Sequence, residues 1–426
     1  MLTPAVCLHA LSQRYPDKAA VVDQDGQRST AYGQLDSMAA RVARLLTNAG
    51  VKEGDAVPIL LPRDRRYVAA LFGVFRIGAA PVPLDPSYPP ERLSYIRQDC
   101  SSPLTVDEGF MEEAMRQEPL QQVVQPAGKG RALITYTSGS TGKPKGVVQS
   151  WDSLMAGLKR IEDISDVCAT DVIACTAPFS FIALMLDLLT PLTVGATVHI
   201  LSNEQRKDIR RISDYIADHQ ISGIFISPQL LKNFNNRSSS LRYVLTGSER
   251  VSMVQPDAYQ LYNIYGMSEI PLTISVFPVD KAYENTPIGT AVSGLEIILL
   301  GDMGVPDEEG EICVAGDVFL GYLNLPEATE RAFSEINGKR FFHTGDLARR
   351  LPDGNLEYIN RKDWMVKGNG QRGEPGEIEH AMASCPGVST AVVKSFENEQ
   401  GQTFLCGYYV AREPVEEGRL RSWLTG

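Results

Sequence analysis

Ile134-Thr135-Tyr136-Thr137-Ser138-Gly139-Ser140-Thr141-Gly142-Lys143-Pro144-Lys145-Gly146 begins as an apolar, strand-like run and passes into hydroxyls, glycines and two lysines. Glycines let backbone N–H groups approach an anion closely, hydroxyls add donors, and ammonium groups neutralise charge that grows as a phosphate group departs. An ordinary Ser/Gly turn rarely concentrates all three features in one decapeptide. A Walker loop is excluded: its first glycine and the hydroxyl after its lysine fall here on Thr137 and Pro144.

The flanking sequence alternates strands and helices. Ala19–Asp23 and Ala56–Leu61 read as short strands, and Tyr32–Asn48 carries Leu35, Ala39, Val42, Leu45 and Leu46 at helical spacing. The pattern recurs at Arg65–Ile77, Ala132–Tyr136, Ile209–His219 and Gly223–Ser227, which predicts βα units around largely parallel sheets, an α/β core. From about Val292 the texture becomes short β-like runs, Leu295–Leu300, Gly310–Ala315 and Asn355–Ile359, with turns such as Pro352-Asp353-Gly354. This predicts a smaller β-rich subdomain over 292–362. From Asp363 a strand at Trp364–Lys367, a helix at Gly376–Ala383 opened by Pro375, and paired strands at Ser389–Phe396 and Gln402–Val410 predict a small α+β tail.

With 426 residues the chain can build two or three domains or subdomains, and 43% hydrophobic with 22% charged residues is a globular composition. Disorder, fibrous repeats and disulfide scaffolds are excluded. The net charge of −11 repels polyphosphate backbones, so nucleic acid is not an expected partner. The seven cysteines are odd in number and form no C-x-x-C pair, as expected of reduced thiols in a cytoplasmic protein. Val172–Leu201, the most apolar stretch, is broken by Pro178, Asp187 and Pro191, and the N-terminus lacks a basic region followed by an apolar one. Neither a membrane span nor export is expected.

The loop resembles that of the adenylate-forming enzymes, and within them the adenylation domains of nonribosomal peptide synthetases. Ala79-Ala80-Pro81-Val82-Pro83-Leu84-Asp85-Pro86-Ser87-Tyr88-Pro89-Pro90-Glu91-Arg92-Leu93 is similar to the synthetase version rather than to typical acyl-CoA ligases. Asn263-Ile264-Tyr265-Gly266-Met267-Ser268-Glu269, Gly310-Glu311-Ile312-Cys313-Val314-Ala315-Gly316, His343-Thr344-Gly345-Asp346-Leu347 and Arg361-Lys362-Asp363 follow in the family's order, so the likeness covers nearly the whole chain.

The resemblance implies that a carboxylate and ATP give acyl-adenylate and pyrophosphate, after which the acyl group passes to a thiol. It implies that Thr137, Ser138, Gly139, Ser140, Thr141, Gly142, Lys143 and Lys145 hold the β- and γ-phosphates. Glu269 would bind Mg2+, a hard cation that takes carboxylate and phosphate oxygens. Ser268 would contact the α-phosphate. Tyr265 would stack on adenine, Asn263 would bond its edge, and Gly247, Ser248 and Gly266 would line the same slot. Asp346 and Arg361 would bind the ribose hydroxyls through charge-assisted bonds, with Tyr358 packed nearby. Taken alone, Thr344-Gly345-Asp346 is ordinary turn chemistry. Catalysis in this scheme is positioning and electrostatics, because the substrate carboxylate is already a nucleophile.

The same register gives an acyl pocket. Amino-acid-activating relatives place an aspartate after Phe179-Ser180-Phe181 to pair with the substrate α-ammonium, and this chain has Ile182 there. A buried ammonium facing Ile182 would lose several kcal/mol. Asp187, about 140° further around a helix, is expected to face elsewhere. The remaining wall would be Phe181, Ala183, Leu186 and Gln229, then Val244, Thr246, Ile264, Leu272 and Thr273. The expected substrate lacks an α-amine: an α-keto or α-hydroxy acid, an aryl acid or a branched aliphatic acid. A slipped register would make these plain core residues.

Gly368-Asn369-Gly370-Gln371-Arg372-Gly373 matches the dinucleotide fingerprint G-x-G-x-x-G, but Val393, near where that motif needs an acid, is apolar. The resemblance makes it a loop that enters the site for thiol transfer after the tail swings about a hinge at Asp363. The five histidines show no metal-ligand spacing. Two departures stand out: Trp151 where the family offers a His, and Asn360 where it has a glycine before Arg361.

The family's last motif, with its catalytic lysine, is absent before Trp423-Leu424-Thr425-Gly426. This stretch is therefore expected to bind ATP and acid but adenylate slowly, and an inserted tailoring domain such as a ketoreductase is one expected neighbour. The other expected partner is the phosphopantetheine thiol of a peptidyl carrier protein. Two rival readings remain: a stand-alone acyl- or aryl-CoA ligase, suggested by Met267-Ser268, and a non-catalytic nucleotide-binding remnant.

Overall fold

In the computed structural model a nine-stranded sheet forms the centre. Its five central pairings, between Ala19–Asp23, Thr197–Ile200, Val172–Cys175, Gly223–Phe225, Tyr243–Gly247 and Gln260–Met267, are parallel. Antiparallel strands close its edges: Arg28–Ala31 on one side, Ile270–Val279 and Thr290–Ala291 on the other. The structure describes residues 2–23, 26–126, 128–137, 143–236, 238–301, 303–362, 366–368, 371–373, 375–397, 403–411 and 415–425.

Helices Tyr32–Asn48 and Trp151–Ser165 each turn one apolar face to the core, while Arg65–Arg76 is buried on all sides from Tyr67 to Arg76. Tyr32, Tyr67, Phe72, Phe75 and Trp151 are fully buried between them, and burying each side chain of this size contributes about 1.5–3 kcal/mol. The helix starts are set by capping side chains: Asp64 accepts from Arg66 N, and Ser150 from Ser153 N. Each such cap is worth about 1 kcal/mol.

Two smaller sheets accompany the large one. Ala56–Leu60 pairs in parallel with Ala80–Leu84. Arg131–Thr137 pairs antiparallel with Lys145–Ser150, and Gly321–Tyr322 extends that pair. Thr137 pairs with Lys145, so the described residues on either side of the lysine motif are antiparallel strands, whereas a Walker motif runs from a strand into a helix.

The β-rich region has the strand order Leu295–Leu300, Glu309–Gly316, Lys339–Arg350, Phe333–Ile336, with Leu356–Arg361 also paired to Lys339–Arg350. C-terminally, Val388–Glu397 pairs with Thr403–Ala411. Helices Pro375–Ser384 and Glu417–Thr425 lie against this pair through a cluster of Met382, Cys385, Val393 and Leu420. The chain is thus a mixed α/β protein with large sheets and a small C-terminal part. Among the described residues no helix is long and apolar enough to cross a membrane. Asp363 and Trp364 lie outside the described residues, as do Asn369 and Gly370 of the glycine motif.

Candidate functional site

The parallel strands Tyr243–Gly247 and Gln260–Met267 run in register, Thr246 opposite Asn263 and Gly247 opposite Ile264, and their carboxyl ends form one edge. Ligands of such sheets bind outside that edge. Two glycines make the edge possible. Gly247 has φ +154°, and a Cβ there would lie 2.1 Å from Ile264 O. A Cβ on Gly266 would lie 1.5 Å from Leu272 O, so no larger residue fits. Beyond Gly266 the chain reverses within a few residues, since Met267 pairs with both Ile270 and Pro271, and Ser268 and Glu269 sit at the tip.

Asp346, almost wholly buried, lies beside this edge. Its Oδ2 accepts from Tyr265 Oη at 2.6 Å and its Oδ1 from Arg361 Nη1 at 3.1 Å. Burial, then the Asp346 carboxylate, pushes the Tyr265 phenol well above its ordinary value, so it donates. The strand pairing shifts register between Leu347 and Ala348, which skips Ile359 and leaves Arg361 opposite Asp346. Thr344 Oγ1 accepts from Asp346 N at 3.1 Å and donates to Ile312 O at 2.8 Å, fixing the turn. Tyr358 packs against the cluster that contains Tyr265. Asn263 Nδ2 donates to Pro287 O at 2.8 Å, so its amide nitrogen is committed to the main chain. Ser248, at φ 68°, is exposed.

Glu269, 2% exposed, is held at both ends. Its backbone O accepts from Phe319 N at 2.8 Å, and its Oε1 from Tyr322 Oη at 3.0 Å. Lys145 Nζ lies 5.2 Å from the Tyr322 ring centroid, and Lys143 Nζ 5.8 Å from that of Tyr95. Gln149 Nε2 donates to Ser268 O at 2.5 Å. Thr137 is buried at the end of its strand. Ser138, Gly139, Ser140, Thr141 and Gly142 lie outside the described residues.

The acyl-wall residues divide. Ile182, Leu186, Ile264 and Leu272 share one buried cluster, with Ala183 packed on it. Leu245 joins that cluster while Val244 joins a second one, so strand alternation puts Val244 and Thr246 on the other sheet face. Thr246 and Thr273 are fully buried, whereas Phe181 and Gln229 are half-buried. Asp187 is fully committed elsewhere: its Oδ2 accepts from Thr176 N at 2.7 Å and Ala177 N at 2.8 Å. The residues around it, Met185–Leu189, form a π-helical turn, so the even 100° per residue of an α-helix does not apply there. Arg63 grips the same segment, donating to Cys175 O at 3.1 Å and lying 4.7 Å from the Phe179 ring centroid. Trp151, where the family offers a His, is core, 5.6 Å from the Phe75 ring.

Sequence spacing did not single out Tyr322, Gln149, Arg63 or Glu311. Glu311 accepts from Gly345 N at 3.0 Å and lies 3.3 Å from Lys362 Nζ. Burial raises its carboxyl, but the His343 hydrogen bond and neighbouring cations outweigh this and hold it below the usual range. Glu311, Cys313 and His343 bring potential ligand atoms within 4.8 Å of one another. The Lys362 ammonium already neutralises the glutamate, and burial pushes the Cys313 thiol up to about 12. The cluster reads as a hydrogen-bonded support for the Thr344–Asp346 turn.

A family model described as AMP-binding enzyme matches residues 8–127 and 105–323. Among curated proteins the chain is 34% identical to bacitracin synthase 1 of Bacillus licheniformis over 97% of its own length and 8% of that protein's. It is 31% identical to gramicidin S synthase 2 of Brevibacillus brevis, covering 97% of this chain and 10% of the relative. The chain therefore spans only a small part of these relatives. Among solved structures, an artificially fused adenylation–PCP di-domain from Klebsiella oxytoca superimposes with TM-score 0.87 at 22% identity, covering 100% of this chain and 91% of the other. o-Succinylbenzoate CoA synthetase of Bacillus subtilis does so with TM-score 0.86 at 22% identity, covering 98% and 91%. At that identity these two likenesses establish the fold alone.

Proposed function

This chain belongs to the AMP-binding enzymes, and on that premise we propose that it activates a carboxylic acid with ATP as part of a nonribosomal peptide synthetase. The observation that carries the reading is the buried Tyr265–Asp346–Arg361 constellation at the carboxyl edge of the parallel strands, with Glu269 and Lys145 joined through Tyr322 beside it. In this reading a substrate carboxylate oxygen attacks the α-phosphorus of ATP, the bond to the bridging oxygen breaks, and acyl-AMP and pyrophosphate result. Asp346 and Arg361 bind ribose, Tyr265 stacks on adenine, and the Oδ1 of Asn263 accepts from its amino group. Gly247, Ser248 and Gly266 line the base slot, Ser268 contacts the α-phosphate, and residues 137–145 hold the outer phosphates. The Glu269 carboxylate, buried and oriented by the Tyr322 hydroxyl, is the kind of hard oxygen ligand that suits Mg2+. The ion when bound supplies neutralising charge at the phosphates.

We assign the acid to those without an α-amine. Ile182 sits in an apolar cluster with Leu186, Ile264 and Leu272, and the nearby Asp187 is spent on backbone N–H groups. An ammonium placed there would be desolvated without a partner. The phosphopantetheine thiol of a carrier protein then attacks the acyl carbon, a thioester forms as the bond to AMP breaks, and AMP and the thiol proton leave; residues 1–362 are the adenylating core and 363–426 part of a lid.

Acid-dependent ATP–pyrophosphate exchange tests this, using α-keto, α-hydroxy, aryl, aliphatic and α-amino acids. It is run on this chain and on a fusion that adds a C-terminal segment bearing the family's lysine. Preference for an acid without an α-amine supports the reading, and preference for an α-amino acid removes the pocket assignment. Exchange with none in either protein leaves a nucleotide-binding remnant. Transfer to free CoA but not to a carrier protein would make the chain an acyl-CoA ligase.

A further inference from the structure

We propose that Tyr322 is a positioning residue that couples the metal-binding carboxylate to the phosphate-facing lysine; this rests on the function assigned above to Glu269 and Lys145. Tyr322 Oη donates to Glu269 Oε1 at 3.0 Å, and the face of the same ring lies 5.2 Å from Lys145 Nζ. One side chain thus touches two groups that are far apart in sequence. A phenol donor fixes the orientation of a carboxylate, and a π-face attracts an ammonium while leaving its N–H donors directed outward.

The backbone around Tyr322 is anchored to both partners. Gly321–Tyr322 pairs antiparallel with the strand that begins at Lys145, Tyr322 lying opposite Val147. Leu320 N donates to Val148 O at 2.8 Å and Leu323 N to Gly146 O at 2.7 Å, so the segment is bonded on both sides of the tyrosine. Tyr322 N itself donates to Thr329 Oγ1 at 2.9 Å. On the other side, Phe319 N donates to Glu269 O, and the Phe319 ring meets the Tyr322 ring edge-on at 5.0 Å. Residues 319–322 therefore grip Glu269 by main chain and side chain while riding on the lysine strand. Displacement of the strand that begins at Lys145 is passed to the glutamate through this ring. Binding a cation–phosphate pair needs both charges placed at once, and such preorganisation is what a shared support provides.

The test compares the wild-type chain with Tyr322→Phe, which keeps the ring and removes only the hydroxyl, and with Tyr322→Leu, which removes both. Calorimetric binding of a non-hydrolysable ATP analogue is measured with Mg2+ and with chelator. Tyr322→Phe is expected to weaken binding about tenfold in Mg2+ and not at all in chelator, because the bond to the Glu269 carboxylate is lost while the ring facing Lys145 is kept. Tyr322→Leu is expected to weaken binding in both, because Lys145 also loses its support. In a Glu269→Gln background the Tyr322→Phe change is expected to add nothing, an outcome that a generally structural tyrosine would not give. Equal Mg2+-dependent affinity for wild type and Tyr322→Phe, or full additivity of the two changes, overturns the proposal. Because the readout is binding, failure of every acid to support exchange would sink the assigned function without deciding this point.

Discussion

Tyr265 donates to Asp346 over 2.6 Å while Arg361 holds the second oxygen of the same carboxylate at 3.1 Å, all three side chains being buried. Two strands of different sheets are tied through one acidic group. A nucleotide that bonds Asp346 through its ribose must share or displace the phenol contact. Asp346→Ala is expected to remove the carboxylate that faces the buried Arg361 guanidinium and accepts from Tyr265, costing about 3–5 kcal/mol of stability and nearly all turnover. Tyr265→Phe keeps the ring and is expected to cost about 1 kcal/mol. Denaturant unfolding and the KM for ATP check both, and an Asp346→Ala chain of unchanged stability would refute the role of the pair.

Glu269→Ala is expected to reduce Mg2+-dependent exchange by a factor on the order of a hundred or more, since in the proposed reading the carboxylate is an anionic oxygen ligand of the ion. Activity that is unchanged across a Mg2+ titration would remove the metal assignment.

Ile182→Asp is expected to move preference toward α-amino acids, by restoring a partner for the ammonium worth several kcal/mol when desolvated. Ratios of kcat/KM for an α-keto acid and its α-amino counterpart measure it. No movement would mean that this position does not face the substrate's α-carbon.

Asp187→Ala is expected to orphan the N–H groups of Thr176 and Ala177, at about 1–3 kcal/mol each, and to raise the KM for the acid as the segment carrying Phe179 to Ile182 loosens. A large stability loss with the acid KM unmoved would confine Asp187 to the core.

His199 is buried beside His219, and burial first and that neighbour second bring its pKa from 6.5 down to about 4. A folded-state value below the unfolded one means stability is complete above pH 6.5 and is lost as pH falls from there toward 4, by an amount on the order of 3 kcal/mol. Unfolding free energies at pH 7, 5.5 and 4.5 are expected to fall more steeply for the wild type than for His199→Gln. Parallel curves would contradict this.

The α/β plan was legible because it rests on local periodicity. Helices Tyr32–Asn48 and Arg65–Arg76 and strands Ala19–Asp23 and Leu295–Leu300 stand within a residue of their apolar patterns. The lysine loop stood out through its own hydroxyls, glycines and lysines, whereas Glu269, Asp346 and Arg361 stood out only through the resemblance to the adenylate-forming enzymes, since each is ordinary turn or surface chemistry by itself. What the sequence by itself determined, then, was the set of elements and the chemistry of the groups. Only the tertiary structure decided which groups meet. Nothing local links Tyr322 to Glu269 and Lys145, Glu311 to Lys362, or Arg63 to Cys175; each pair joins segments distant in the chain. The faces of Val244 and Leu245, and the π-helical turn that aims Asp187 at Thr176 and Ala177, were likewise settled by packing. The physical reason is that propensity acts over a few residues, whereas satisfying a buried charge is a condition on the whole fold.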